Sequence, residues 1–237
     1  VITGASSGIG LALALDYLAQ GHKVSVCARN IAPLQSHLEA NAQLFAHYAD
    51  VSVAADCELF ITKAIMQNGP IDVLINNAGI SMRGMFDGIN LQVLHNLMNI
   101  NYWGSVYCTY YALSSIKATK GVICSISSIA GYRGLPARTG YSSSKFAMQG
   151  FMESLRTELL KTGVHVMWIC PGFTSSNIRN VALASDRTTQ KETPLEEQKL
   201  MSAETCASLI IDAIQKRKRT AIFTTQGKIT VLLNKLF

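Results

Sequence analysis

Seven short apolar runs, separated by segments with helical spacing, leave this chain very few architectures. The runs fall at 1–2, 24–28, 44–49, 71–76, 121–127, 164–170 and 220–225. Helical patterns lie between them, near 9–20, 31–41, 54–68, 90–117, 141–162 and 203–217. Strands that alternate with helices pair in parallel, because each crossover carries the chain back to the same end of the sheet. VSVCA and GVICSIS are apolar at nearly every residue, not every second one, which predicts strands covered on both faces. The expected fold is α/β, a doubly wound parallel sheet of about seven strands with helices on both faces. No repeat or linker breaks the pattern, so residues 1–237 are expected to form a single domain.

Composition narrows the class further. With 49% hydrophobic and 15% charged residues, the chain is expected to bury a substantial core. Its net charge of +6 is scattered except for Lys216-Arg217-Lys218-Arg219, which reads as a solvated helix end. Cysteines 27, 57, 108, 124, 170 and 206 show no C-x-x-C pair and no metal-ligand spacing. They read as small buried hydrophobes in a reducing compartment, and no metal site is expected. No apolar run reaches the ~18 residues of a membrane span. A cytoplasmic location is expected. Val1 already lies within an apolar strand, so the true N-terminus is expected to precede it, where any targeting segment would be invisible.

The opening VITGASSGIGLALALDYL places Gly4, Gly8 and Gly10 in the turn between a strand and an apolar helix. Glycines let a backbone turn tightly against a pyrophosphate, and the free N–H groups at a helix start face an anion. The spacing is T-G-x-x-x-G-x-G rather than G-x-G-x-x-G, but the strand–turn–helix context favours dinucleotide binding. NAD-binding versions hold a carboxylate at the end of the second strand for the ribose 2′-hydroxyl. Here that strand ends VCARN, with Ala28 in the carboxylate's place and Arg29 after it. A guanidinium suits a 2′-phosphate, so NADP(H) is expected over NAD(H).

YSSSK, at 141–145, has two readings. Ser142 and Lys145 fit the S-x-x-K of acyl-transferring serine enzymes, and Lys161-Thr162-Gly163 mimics their K-T-G. Tyr141 and Lys145 instead set a phenol and an ammonium one helical turn apart. The hydrolase reading lacks an S-D-N and leaves the glycine turn and NNAG (76–79) without a purpose. The pair that matters is therefore Tyr141 with Lys145.

Taken together, TGASSGIG, NNAG, ISSIAG (126–131), YSSSK and Pro171-Gly172 resemble the short-chain dehydrogenases/reductases in order and spacing over nearly the whole chain. The pattern is that of the single-domain TGxxxGxG/YxxxK subgroup with its Rossmann-type sheet. SSIAGYRGLPARTGYSSSKFAMQGF is most similar to membrane-associated and bacterial carbonyl reductases. The resemblance implies a catalytic set of Asn101, Ser128, Tyr141 and Lys145. It implies cofactor contacts from Gly4, Ser6, Ser7, Gly8, Ile9, Gly10, Arg29, Asp50, Asn77, Ala78, Gly79, Tyr141, Lys145, Pro171, Gly172 and Thr174. In such a set the phenol exchanges a proton with the carbonyl oxygen, and the serine hydroxyl holds that oxygen. The lysine favours the phenolate and binds the nicotinamide ribose, and the asparagine positions a water. Choosing Ser128 over Ser127 rests on the resemblance. Asp50 is equally readable as an N-cap, and Asn76 and Asn77 as braces for the central strand.

The implied activity is interconversion of a ketone or aldehyde with its alcohol. The alternative is a redox-sensing protein that binds NADP(H) without turnover. Walls at 81–86, 131–137 and 173–202, with Ile80, Met82, Leu135, Met148 and Phe173, suggest an apolar pocket. The resemblance further implies a homodimer or homotetramer packed through 90–117 and 141–162. The amphipathic tail GKITVLLNKLF is expected to pack or to cover a subunit interface rather than rest on a membrane. No nucleic-acid partner is expected.

Overall fold

The computed structural model describes residues 1–175, 178–179, 181–190 and 200–236. Its sheet has seven strands: β1 (Ile2–Thr3), β2 (Val24–Ala28), β3 (Leu44–Tyr48), β4 (Val73–Asn76), β5 (Val122–Ile126), β6 (His165–Cys170) and β7 (Thr220–Ile222). All pair in parallel, in the order β3-β2-β1-β4-β5-β6-β7. The order reverses at β1, so the carboxyl ends of β1 and β4 flank the crevice where such sheets hold ligands.

Strand alternation divides the interior into two layers. Val122, Cys124, Ile126, Met167 and Ile169 face one side, against α1 (Gly8–Ala19) and α7 (Ala203–Gln215). Ile123, Val166, Trp168 and Cys170 face the other, against α3 (Ala54–Asn68), α5 (Gly104–Thr119) and α6 (Thr139–Glu158). Both faces are thus covered, as the near-continuous apolar runs require. The remaining helices are α2 (Gln35–Ala40), α4 (Leu91–Leu97) and α8 (Thr225–Leu236). All six cysteines are free and buried.

Two expected elements differ. The segment 90–117 is not one helix: α4 passes into a π-helical turn, Met98–Trp103, before α5 begins. A widened turn of this kind is rare and inserts an extra residue into the helix. The last strand stops at Ile222 instead of reaching 225. Its partner β6 ends at Cys170, followed by Pro171, which has no N–H for a ladder. The chain then folds into α8, so the amphipathic tail is a helix. The basic run is an exposed helix end, with Lys216 and Lys218 on Asp212 at 2.6 and 3.5 Å and Arg217 on the Lys120 carbonyl at 2.8 Å. No helix among the described residues is long and apolar enough to cross a membrane.

Candidate active site and cofactor site

One cavity of about 690 Å³ opens at the switch point. Every residue expected to touch the cofactor lines it, from Gly4 in the first turn to Thr174 after β6. Gly4 and Gly8 adopt left-handed φ of 69° and 57°, so the β1–α1 turn depends on glycine. A Cβ on Gly4 would also lie 2.7 Å from the Ala78 Cα, so the turn presses directly on the NNAG strand end. Asn77 secures that contact by donating to the carbonyls of Thr3 and Gly4 at 2.9 and 3.0 Å. Asn76 stays in the core, donating to Thr109 Oγ at 2.9 Å.

The turn fits a dinucleotide phosphate. Ser7 caps α1 without a side-chain hydrogen bond, and the first turn of α1 carries no acidic residue. The leading N–H groups are therefore left for an anion. Arg29 and Asn30 line the cavity just beyond β2. Asp50 lines it too, while its carboxylate accepts from Ser52 N and Oγ at 2.9 and 2.7 Å. At the far end Thr174 is buried, and its hydroxyl has no hydrogen bond and only the weak Cys206 thiol beside it. An unsatisfied buried hydroxyl on a cavity wall suits a ligand with polar groups.

Tyr141 and Lys145 come from the first turns of α6. The Lys145 ammonium is buried, 5.8 Å from the centroid of the Tyr141 ring. Its hydrogen bond goes to the Ile126 carbonyl at 2.8 Å, at the end of β5. Burial lowers its pKa to about 8, with the Cys170 thiol opposing slightly. Burial likewise pushes the Tyr141 phenol above its ordinary value, while neighbouring Ser128 and Arg138 draw it down. In the protein alone burial, not Lys145, is the largest influence on the phenol. Desolvation of the phenolate outweighs an ammonium whose hydrogen bond is spent on a backbone carbonyl.

Both serines after β5 line the cavity, and they differ in burial and partners. Ser127 is buried, with its Oγ accepting from Gln149 Nε2 at 2.7 Å. Ser128 lines the cavity next to Tyr141 and caps the short turn Ile129–Gly131 through Ala130 N at 3.2 Å. Asn101 is fully buried and does not line the cavity. It sits in the π-helical turn, where Oδ1 accepts from Ile80 N at 2.8 Å. Its Nδ2 donates to the Ile80 carbonyl at 3.0 Å and to Ser144 Oγ at 2.9 Å.

The substrate side departs from expectation in detail. Ile80, Leu135 and Phe173 line the cavity, but Met82 and Met148 have no exposed surface and pack in the core. Of the expected walls, Ser81, Leu135, Pro136, Phe173, Thr174, Ile178, Arg179 and Val181 reach the cavity; 176–177, 180 and 191–199 lie outside the described residues. Sequence reasoning missed Ser144, Gln149 and Arg138. The first is hidden among the interchangeable serines of YSSSK. The third follows directly on the segment taken as a wall.

A strand–glycine-turn–helix crevice, with a phenol and a buried ammonium set at its carboxyl end, defines a nicotinamide-dependent oxidoreductase of the doubly wound class. The sequence profile described as "short chain dehydrogenase" matches residues 1–186, and the chain belongs to that family. It is 34% identical to the Arabidopsis thaliana protein "11-beta-hydroxysteroid dehydrogenase-like 4A", over 92% of this chain and 73% of that one. It is 33% identical to the Mus musculus "Dehydrogenase/reductase SDR family member 7B", over 94% and 72%. A short-chain dehydrogenase from Streptomyces avermitilis shares the fold at a TM-score of 0.87, with 24% identity over 99% of this chain and 92% of that one. A Burkholderia phymatum short chain dehydrogenase/reductase solved with NAD matches at 0.85, with 22% identity over 98% and 90%. Family membership carries the coarse activity, oxidoreduction between carbonyl and alcohol groups with NAD(P)(H).

Proposed function

We propose that the chain is an NADP(H)-dependent carbonyl reductase, of the branch that includes membrane-associated and bacterial carbonyl reductases, with Tyr141 as general acid. The observation that carries this reading is the convergence of Tyr141, Ser128 and Lys145 on the cavity that the glycine turn also lines. A bound nicotinamide supplies the hydride to the carbonyl carbon. Tyr141, kept protonated by burial, gives its proton to the carbonyl oxygen. The Ser128 hydroxyl steadies the charge that grows on that oxygen. Lys145 supplies positive charge behind the phenol as the proton leaves, and Asn101 holds the helix that bears both groups. Arg29 favours the cofactor's 2′-phosphate. Phe173, Ile178 and Val181 contribute to the substrate wall, and the chain is read as a single domain. Trp103, Tyr110 and Phe146, exposed on the α5 and α6 side, suit a homodimer or homotetramer.

The test follows NADPH absorbance with a panel of ketones, aldehydes and quinones, with Tyr141→Phe in parallel. Removing a general acid is expected to slow turnover ~100-fold or more. Undiminished turnover in Tyr141→Phe would overturn the mechanism. Saturable NADPH binding with no turnover of any carbonyl would mark a redox-sensing binding protein instead.

A further inference from the structure

Arg138 stands out on the substrate side of the cavity. It is half-buried on the wall, three residues before Tyr141, and forms the N-cap of α6. Its guanidinium donates to the buried Ser81 hydroxyl at 2.6 Å. Among the described residues no carboxylate pairs with it. Its charged neighbours are two more cations, Arg83 and Arg179, and the Tyr141 phenol. Arg179 lines the same cavity and donates to the Thr174 carbonyl at 3.0 Å.

A guanidinium has five donors, and a hydroxyl such as Ser81 needs none of its charge. Partly burying a cation costs free energy unless an anion joins it. The backbone is also shaped to place it. Ala137 adopts a left-handed φ of 58°, and its carbonyl accepts from Gly84 N at 3.0 Å, which latches the 135–138 turn onto the Ser81 loop. A side-chain-bearing residue held in that conformation is strained and persists where its surroundings impose it. Beside Arg138, Leu135, Phe173 and Val181 line the cavity while remaining partly exposed.

We infer that the substrate of this site is amphiphilic: an acidic group, phosphate or carboxylate, pairs with Arg138, and an apolar body lies on Leu135, Phe173 and Val181. The carbonyl in that substrate rests on the reductase reading above; the anion contact does not.

Two experiments separate these claims. Octyl phosphate, octanoate and octanol are titrated calorimetrically into the full chain and into Arg138→Met, Arg138→Lys and Ser81→Ala. At least one anion is expected to bind ~10-fold or more tighter than the alcohol. That advantage should vanish in Arg138→Met and survive in part in Arg138→Lys, and the preferred anion identifies the headgroup. If Arg138→Met does not fold, Arg138→Gln serves in its place. Equal affinity for all three probes, or an anion preference that outlasts removal of the guanidinium, overturns the inference. In the second experiment NADPH oxidation is compared for a long-chain keto acid, its methyl ester and a keto phosphate. Turnover of none removes the reductase reading and leaves the binding result standing. Turnover of the ester without any gain for the anions removes the inference and leaves the reductase.

Discussion

Asn101 donates its side-chain amide to Ser144 Oγ at 2.9 Å, and Ser144 in turn donates to the Tyr141 carbonyl at 2.8 Å. This short relay ties the π-helical turn to the helix that carries Tyr141 and Lys145. The other Asn101 contacts clamp both backbone groups of Ile80, on the cavity wall. Both polar side-chain atoms of Asn101 are engaged with the protein, an arrangement suited to a positioning residue.

Asn101→Ala would leave Ile80 N–H and C=O and Ser144 without their partner in a buried place. A loss of ~2–4 kcal/mol in folding stability is expected, since each orphaned group costs ~1–3 kcal/mol. Ser144→Ala should cost less, ~1 kcal/mol, yet it should lower kcat more than it raises KM, because it lets the α6 turn drift. Urea unfolding and steady-state kinetics on both variants decide this. A Ser144→Ala enzyme with wild-type kcat and pH profile would leave the relay without a functional part.

What the sequence made legible was local. The glycine turn and YSSSK each place their chemistry within a few residues, and the surrounding elements are strongly periodic, so both appear in the cavity as read. What escaped depends on tertiary context. Nothing in NLMNINYWG signals that the helix widens around Asn101, whose partners Ile80 and Ser144 are distant in sequence. Met82 and Met148 are apolar residues near a site, and composition cannot tell a pocket wall from a core. TAIFTT reads as strand to its end, but a strand extends only as far as its neighbour can bond, and Pro171 limits β6. The upward push on the Tyr141 phenol comes from burial, a tertiary effect that the helical spacing of Tyr141 and Lys145 does not carry.

Cofactor preference should reside at the end of β2. Arg29 is exposed there, lining the cavity with Asn30. Arg29→Asp replaces a phosphate partner with a charge that repels phosphate and accepts from a ribose hydroxyl. The ratio of kcat/KM for NADPH over NADH is expected to fall ~100-fold or more, equivalent to roughly 3 kcal/mol. An unchanged ratio would assign the 2′ position to other residues.

The first turn of α1 should tolerate no added carbon. At Gly10 a Cβ would collide with Asn77 Nδ2 and with the Gly4 carbonyl, the same pair joined by a hydrogen bond. Gly10→Ala must push the glycine turn off the NNAG strand end. Cofactor affinity is expected to drop ~10-fold or more, by loss of both the turn's shape and its N–H alignment. NADPH fluorescence titration measures it, with circular dichroism to confirm the fold. Gly21, whose added Cβ would meet nothing, is the contrasting position, although its φ of 81° still disfavours a side chain.

The buried ammonium of Lys145 should leave a pH signature on stability. Its pKa is about 8 in the folded protein against an ordinary lysine value of 10.5, and burial is the main cause. Below pH 8 both folded and unfolded chains hold the proton, and the fold bears the full cost of the buried charge. Between about 8 and 10.5 the folded protein has released the proton while the unfolded chain still binds it, so this group makes stability rise with pH. Lys145→Met removes this titrating group. Wild type should therefore gain on Lys145→Met by up to ~2 kcal/mol between about pH 7 and 9.5, read from urea midpoints and slopes. Loss of the Ile126 contact shifts the difference by a constant and leaves its slope intact. A wild-type-minus-variant difference that stays flat across that window would mean that Lys145 keeps an ordinary lysine pKa despite its burial.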